Sequence, residues 1–482
     1  MHKKKGCLLS IFILILTYPS FSQQFSSKTL VLKTTLYDLD VKVDYAAKKI
    51  FGRCRLTVQN PSDEVISEIP LLLYRLLKVK AITDGQGMTM PYQQEVLSLE
   101  DWEEIQVNYI EVRLPKPLAS GQSKTIGIVY EGFLFGYSNE GWTYVKDHID
   151  QEFTFMRMDG YGYPVIGYPS EKVNRRAGLQ DYDYTLSVTV PENLVVANGG
   201  KLVEKSTIDG QTTYIYTNGK KAWRLDIPIA PYGIIVDKEN NLKIFHFPQD
   251  KDKAGMILEA MKKSLQLYTN WFGQANNFQG FTIIEVPEGY GSQTDVTSIL
   301  QTADAFQKPD NLTALYHEIS HIWNVRDNDP LPDRLESEGL AMFLQYLVQE
   351  RLDNKPDAVK KGYERLSESF RQQCKRYPKS KDVPIIEYGN EGLTDLSYTK
   401  GMLFFYLLYH VMGEDDFLEA IGSFYQKYKQ TGATSEEFLN HVKQHTEKNL
   451  DRLYKEWIYG TESSRLILEK VPVEDLIQRY RQ

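Results

Sequence analysis

His317-Glu318-Ile319-Ser320-His321 constrains this chain more than any other stretch of it. Histidines four residues apart on a helix share one face, so their ring nitrogens can converge on a single point. The glutamate between them projects to the side, where it can hold a water and take its proton. The flanking residues decide which way that face looks. Leu312, Leu315, Tyr316, Ile319, Ile322 and Trp323 recur at helical spacing and form one apolar stripe. At about 100° per residue, His317 and His321 lie nearly opposite its centre. The helix therefore buries one side and turns both histidines toward a polar space. The plain alternative, a solvated face that happens to carry two histidines, leaves the residues considered next without a role.

A catalytic zinc ion needs three protein ligands and one open position. Glu338 is the candidate third ligand. It lies in Leu335-Glu336-Ser337-Glu338-Gly339-Leu340-Ala341, which opens a second helix. Leu335, Met342, Phe343, Tyr346 and Leu347 mark that helix's buried face, while Gly339 and Ala341 are small enough for another backbone to approach. Two acids compete. Glu336 stands about 200° around the helix from Glu338 and cannot share its target. Asp327 occupies the place of the third ligand in an HExxHxxGxxD pattern, but Asn324 replaces the turn glycine that pattern needs.

His317 to Trp323 (HEISHIW), followed by ESEGLA, resembles the gluzincin aminopeptidases of the aminopeptidase N family. These carry HExxHxW and then a zinc-binding glutamate in a WLNEGFA-like segment. HxWNV is also similar to the glycyl aminopeptidases. Tyr398-Thr399-Lys400-Gly401 resembles the family's YEKG, and it precedes the apolar run 402–412 at a predicted helix start. The resemblance implies one Zn2+ on His317, His321 and Glu338, Glu318 as general base, Tyr398 as oxyanion donor, and a peptide as substrate. One segment departs from the family. Its GxMEN glutamate, which grips the substrate's free amine, has no counterpart where it is expected. Strand Phe281–Val286 leads into Pro287, Glu288, Gly289, Tyr290, Gly291, Ser292 and Gln293, so Ser292 holds the glutamate position and Gln293 the asparagine position. Glu288 and Asp295 are the nearby acids that could substitute. The sheet edge leading into Gly289, Tyr290, Gly291, Ser292 and Gln293 is expected to align the substrate backbone by strand addition.

The first 22 residues read as a signal peptide: Lys3, Lys4 and Lys5, an apolar run 7–18, then small Ser20 and Ser22 before Gln23. The run of about 12 residues is too short for a bilayer core of about 30 Å. Cys7 precedes the run, which argues against a lipoprotein anchor. Export to a periplasmic or extracellular location is expected, with no stable membrane insertion after cleavage; an uncleaved anchor is the alternative. Cleavage would remove three lysines and take the formal charge from −8 to −11. A net-acidic chain without a long basic run argues against nucleic acid and anionic lipid as partners. Cys54 and Cys374 cannot make a disulfide framework; free, buried thiols are expected, with one bridge between the two as the alternative.

The expected fold is multidomain, β followed by α+β. An N-terminal antiparallel β-sheet domain spans 23–240, a thermolysin-like zinc peptidase domain, mostly helical toward its end, spans 241–462, and a short tail spans 463–482. Alternation over Tyr37, Leu39, Val41, Val43 and Tyr45, and again over Tyr182, Tyr184, Leu186, Val188 and Val190, carries the β prediction. Near 240 the period changes, and 254–271 is an amphipathic helix. His410 is expected to be packed or at the surface, and His441 and His445 to lie on a solvated helix face. The Gly-Tyr loop holding Tyr161, Tyr163 and Tyr168 either borders the cleft or packs between domains. Two further functional readings stand beside an aminopeptidase. One is an endopeptidase, or another exo-specificity, on the same zinc site; the other is a non-catalytic peptide-binding protein on a peptidase fold.

Overall fold

The computed structural model describes residues 25–178, 180–276, 278–308 and 312–481. The predicted signal peptide lies outside the described residues. The alternating segments form the strands expected of them. In Lys33–Asp44, residues Tyr37, Leu39, Val41 and Val43 are buried while Asp40 and Lys42 face out. This strand turns back on Lys49–Gln59 and is the centre of a seven-stranded sheet. The sheet runs in the order Lys201–Ile208, Gln211–Thr217, Asp183–Pro191, Lys33–Asp44, Lys49–Gln59, Ser123–Gly132, Leu77–Asp84. Its one departure from antiparallel pairing is Lys33–Asp44 beside Asp183–Pro191, which run parallel with Leu36 opposite Asp183. A four-stranded sheet around Trp102–Leu118 closes over the same core, which includes Tyr37, Leu39, Leu71, Tyr109 and Leu186. Tyr161, Tyr163 and Tyr168 belong to this core, with the Tyr163 hydroxyl donating to Leu225 O at 2.7 Å.

A five-stranded sheet follows, in the order Gly233–Asp237, Leu242–His246, Phe281–Val286, Ser298–Thr302, Gln293–Thr294. Phe281–Val286 is buried at all six positions and runs parallel to both its neighbours, as a central strand covered on both faces must. The crossover into it is helix Lys251–Phe272, whose Ala254, Ile257, Met261 and Tyr268 are buried. The hairpin Gly233–Asp237 with Leu242–His246 straddles residue 240, so we place the division between the two units nearer Tyr232. An aromatic seam of Phe153, Phe155, Tyr232, Phe247 and Tyr290 joins the small sheet Val195–Val196, Ile227–Ala230, Thr154–Met156 to this one.

The remainder is helical and shares one large core. Two expectations are corrected there. The predicted tail holds helices Glu462–Leu468 and Val473–Arg481; Leu476 and Tyr480 enter the core, and Tyr480 OH accepts from Trp457 Nε1 at 3.0 Å. His441 is 6% exposed and not on a solvated face, because Ser423 draws both imidazoles inward, each Nε2 lying 2.9 Å from its hydroxyl. Cys54 and Cys374 are free and buried. Among the described residues, no helix is long and apolar enough to cross a membrane.

Candidate metal centre

The motif helix, Thr313–Ser320, buries Leu315, Tyr316 and Ile319, as its apolar stripe requires. It ends one residue earlier than a regular helix carrying both histidines would. Ser320 donates to His317 O at 2.6 Å, and the chain tightens into a 3₁₀ turn, His321–Trp323, pinned by Trp323 Nε1 on Gly273 O at 2.9 Å. The two imidazoles still meet, with ring centroids 4.8 Å apart and planes at 88°.

Glu338 is delivered by a π-helical turn, Leu335–Gly339, that runs into helix Leu340–Leu352. Gly339 sits against Gly401 so closely that a Cβ on Gly401 would be 2.8 Å from the Gly339 Cα. This glycine contact brings the Glu338 turn against the Tyr398–Gly401 segment, where the 3₁₀ turn Thr394–Tyr398 meets helix Lys400–Met412.

Glu338 Oε2 lies 3.1 Å from His317 Nε2 and 3.6 Å from His321 Nε2, and the three ligand atoms fall within 4.8 Å of one another. Bonds of about 2.0–2.1 Å in a tetrahedron put ligand atoms about 3.4 Å apart, so the donor set fits one zinc ion. Burial alone would raise the Glu338 carboxyl; His321, His317 and Arg334 outweigh it and hold the group well below the usual carboxylate range. The competing acids go elsewhere. Asp327, Glu336 and Asp333 form a separate carboxylate cluster, in which the Ser435 hydroxyl lies 3.3 Å from both Asp333 Oδ2 and Glu336 Oε2.

Glu318 is buried beside the ligands, and its Oε2 accepts from the Thr294 hydroxyl at 2.6 Å. Tyr398 stacks on His317 with ring centroids 6.0 Å apart and planes at 13°. Burial pushes its hydroxyl well above the ordinary tyrosine range, so it remains a donor at neutral pH. The hydroxyl oxygen accepts from Arg334 Nη2 at 3.2 Å. Sequence pattern did not single out Thr294 or Arg334. Thr294 was recoverable as the residue after Gln293 on the predicted sheet edge; Arg334 carried no signal.

The glycine-rich segment divides in two. Gly289 and Gly291 take φ of +82° and +73° and make a turn that leaves Glu288 exposed. Tyr290 is an anchor, its ring 5.0 Å from Phe153 and its hydroxyl 3.0 Å from His148 Nδ1. Ser292 ties the hairpin, its Oγ accepting from Thr302 N and Gln301 Nε2, each at 3.2 Å. The sheet edge is Gln293–Thr294, at the end of the expected segment. Gln293 and the half-buried Asp295 line a small polar cavity with Tyr184, Asn198, Arg224 and Asp226. Burial raises Asp295 to about 7, and its Oδ1 has no hydrogen-bond partner.

Residues 293–457 match the Peptidase family M1 domain. "Probable aminopeptidase 2" of Sulfurisphaera tokodaii is 22% identical over 61% of this chain and 39% of its own length. "Tricorn protease-interacting factor F2" of Thermoplasma volcanium is 21% identical over 64% of this chain and 40% of its own length. The chain thus matches about two fifths of the length of these relatives. An M1 zinc metallopeptidase from Deinococcus radiodurans shares the fold over 91% of this chain and 93% of its own, with a TM-score of 0.62 at 16% identity. A variant of it, also at TM-score 0.62 and 16% identity over 91% of this chain and 94% of its own, was solved with a Tyr-Ser-Ala substrate. Over residues 293–457 the sequence is similar to the family M1 peptidase domain, the fold is shared with an M1 zinc metallopeptidase, and the donor set at His317, His321 and Glu338 is suited to zinc.

Proposed function

We propose that this chain is an exported zinc aminopeptidase. The observation that carries the proposal is the convergence of His317, His321 and Glu338 within 4.8 Å, with Glu318 and Tyr398 flanking them. Zinc held there supplies Lewis acidity toward the scissile carbonyl. Thr294 fixes one Glu318 oxygen, and the other takes the proton of the attacking water and passes it to the leaving amine. Tyr398 donates its proton as a hydrogen bond to the developing oxyanion. The edge strand Gln293–Thr294 pairs with the substrate backbone and orients it.

Asp295 is the residue we assign to the free amine. It follows Thr294, whose hydroxyl meets Glu318, and has an unpartnered carboxylate oxygen. Ser292, at the family's glutamate position, is consumed by the hairpin. That same observation favours the second reading, an endopeptidase. One peptide, free and N-acetylated, separates them. An aminopeptidase cleaves the first residue from the free form and leaves the acetylated form intact. Equal cleavage of both forms at internal bonds refutes the exopeptidase assignment. Export is tested by N-terminal sequencing of the mature protein, which should begin at Gln23.

A further inference from the structure

Arg334 occupies an unusual place beside the ligands. It is the residue immediately before the π-turn that delivers Glu338, and its φ is +66°, a left-handed conformation that non-glycine residues avoid. Such conformations persist where the surroundings over-determine them, and they gather at functional sites. The side chain, 38% exposed, reaches back across the turn. Its Nη2 is hydrogen-bonded to Glu338 Oε1 and lies 3.2 Å from the Tyr398 hydroxyl, with Cζ 5.4 Å from the Tyr398 ring centroid.

The two oxygens of Glu338 are thereby divided. Oε2 faces both imidazoles, and Oε1 faces the guanidinium. A guanidinium donates and never accepts, so the Tyr398 oxygen is the acceptor and its own proton points away from Arg334, with the neighbouring Glu338 carboxylate as an acceptor that substrate would replace. We propose that Arg334 is a positioning residue of the peptidase site, acting through two others. It holds Glu338 with one oxygen turned to the ligand cluster, and it holds Tyr398 with the hydroxyl proton directed to the substrate. The second half rests on the peptidase function proposed above; the first does not.

The test compares wild type with Arg334→Ala and Arg334→Gly, each also made in a Tyr398→Phe background. Glycine adopts φ of +66° without strain, so Arg334→Gly keeps the backbone in place where alanine carries the strain of a left-handed residue. Zinc affinity is measured by chelator competition, and kcat and KM on a free peptide at saturating zinc. Both variants should bind zinc about 10- to 100-fold more weakly, the usual effect of removing a partner of a ligating group. Their kcat should fall about 10-fold or more with KM little changed, and this loss should vanish in the Tyr398→Phe background. Unchanged zinc affinity overturns the first role. An equal kcat loss with and without the Tyr398 hydroxyl, or a change confined to KM, overturns the second and makes Arg334 a substrate contact. An inactive wild type refutes the peptidase function and with it the second role, while the zinc measurement still decides the first.

Discussion

Replacing Gly401 by alanine would place a Cβ 2.8 Å from the Gly339 Cα and 3.2 Å from Leu335 Cδ1. Carbon atoms in contact prefer about 3.5–4.0 Å, so the two turns must part by roughly 0.7 Å. The obstructing Gly339 atom is backbone and cannot rotate aside. Overpacking of this kind typically costs about 1–3 kcal/mol, and alanine in place of glycine inside a helix returns about 0.8–1 kcal/mol. The net loss of stability is therefore small, about 0–2 kcal/mol. Activity is more sensitive, because the two turns carry Glu338 and Tyr398, and a misplacement of about 1 Å can cost about 100-fold. We expect kcat to fall at least about 10-fold in Gly401→Ala while the protein stays folded. Gly339→Ala should behave alike, its Cβ meeting Gly401 backbone at 3.0 and 3.2 Å. The control is Gly255→Ala in helix Lys251–Phe272, where a Cβ meets nothing within 4 Å. It should gain about 0.5–1 kcal/mol and keep full activity. Peptide turnover, zinc content and calorimetric unfolding of all three decide the matter. A Gly401→Ala protein as active as Gly255→Ala would refute the coupling of the two turns.

Zinc should be lost from His317→Ala, His321→Ala and Glu338→Ala and kept by Glu336→Ala; Glu318→Gln should keep zinc and lose about 100- to 10,000-fold in kcat, both read by metal analysis beside turnover. Thr294→Val removes the donor that fixes Glu318 and should lower kcat about 10-fold with zinc retained; an unchanged kcat would free Thr294 of that role. Glu285 is wholly buried in strand Phe281–Val286, and burial raises its carboxyl from 4.5 to about 8. Because the folded value is the higher one, its stabilising contribution is full below about pH 4.5 and is lost as pH rises through about 8. Glu285→Gln should therefore unfold at a higher temperature than wild type at pH 9, by an amount worth a few kcal/mol at about 1.4 kcal/mol per pH unit, and nearly together with it at pH 5; an equal difference at both pH values contradicts the assignment.

What the sequence made legible was local and periodic. His317 and His321 follow from a spacing and a stripe, Glu338 from an angle on a helix, and Tyr398 from a motif at a helix start. The strands of the N-terminal half follow from alternation. The unreadable parts depend on contacts that no period encodes. Pairing of Lys33–Asp44 with Asp183–Pro191 joins segments far apart in the chain, and nothing in either one specifies a parallel neighbour. The π-turn at Leu335–Gly339 and the 3₁₀ turn at His321–Trp323 are small changes of winding imposed by packing, and helical spacing tolerates both. Arg334 was invisible for a different reason: a long side chain on a left-handed residue reaches places that helix or strand geometry does not predict. His441 was misplaced because the polar character of an imidazole suggested solvent, whereas Ser423 supplies its partner inside.

The charge balance around the polar cavity bears on the choice between a free amine and an internal peptide bond. Arg157 is fully buried, 2.9 Å from Asp147, and Arg224 pairs with Asp159 at 3.0 Å and with Asp226. Asp226 and Asp295 line the cavity together with Arg224. Two arginines thus face four aspartates. With all four ionised the group would carry a surplus of two negative charges in a place with little water, and such a surplus is relieved by protonation or by a cation. Burial raises Asp147 and Asp295 each to about 7, the direction that surplus demands. If Asp295 takes the free amine as proposed, an arriving ammonium would supply the missing positive charge and favour ionisation of Asp295. A neutral internal peptide offers no such compensation and would leave the unpartnered Asp295 oxygen buried. The surplus of negative charge around Asp226 and Asp295 is the feature that the proposed free-amine role of Asp295 draws on.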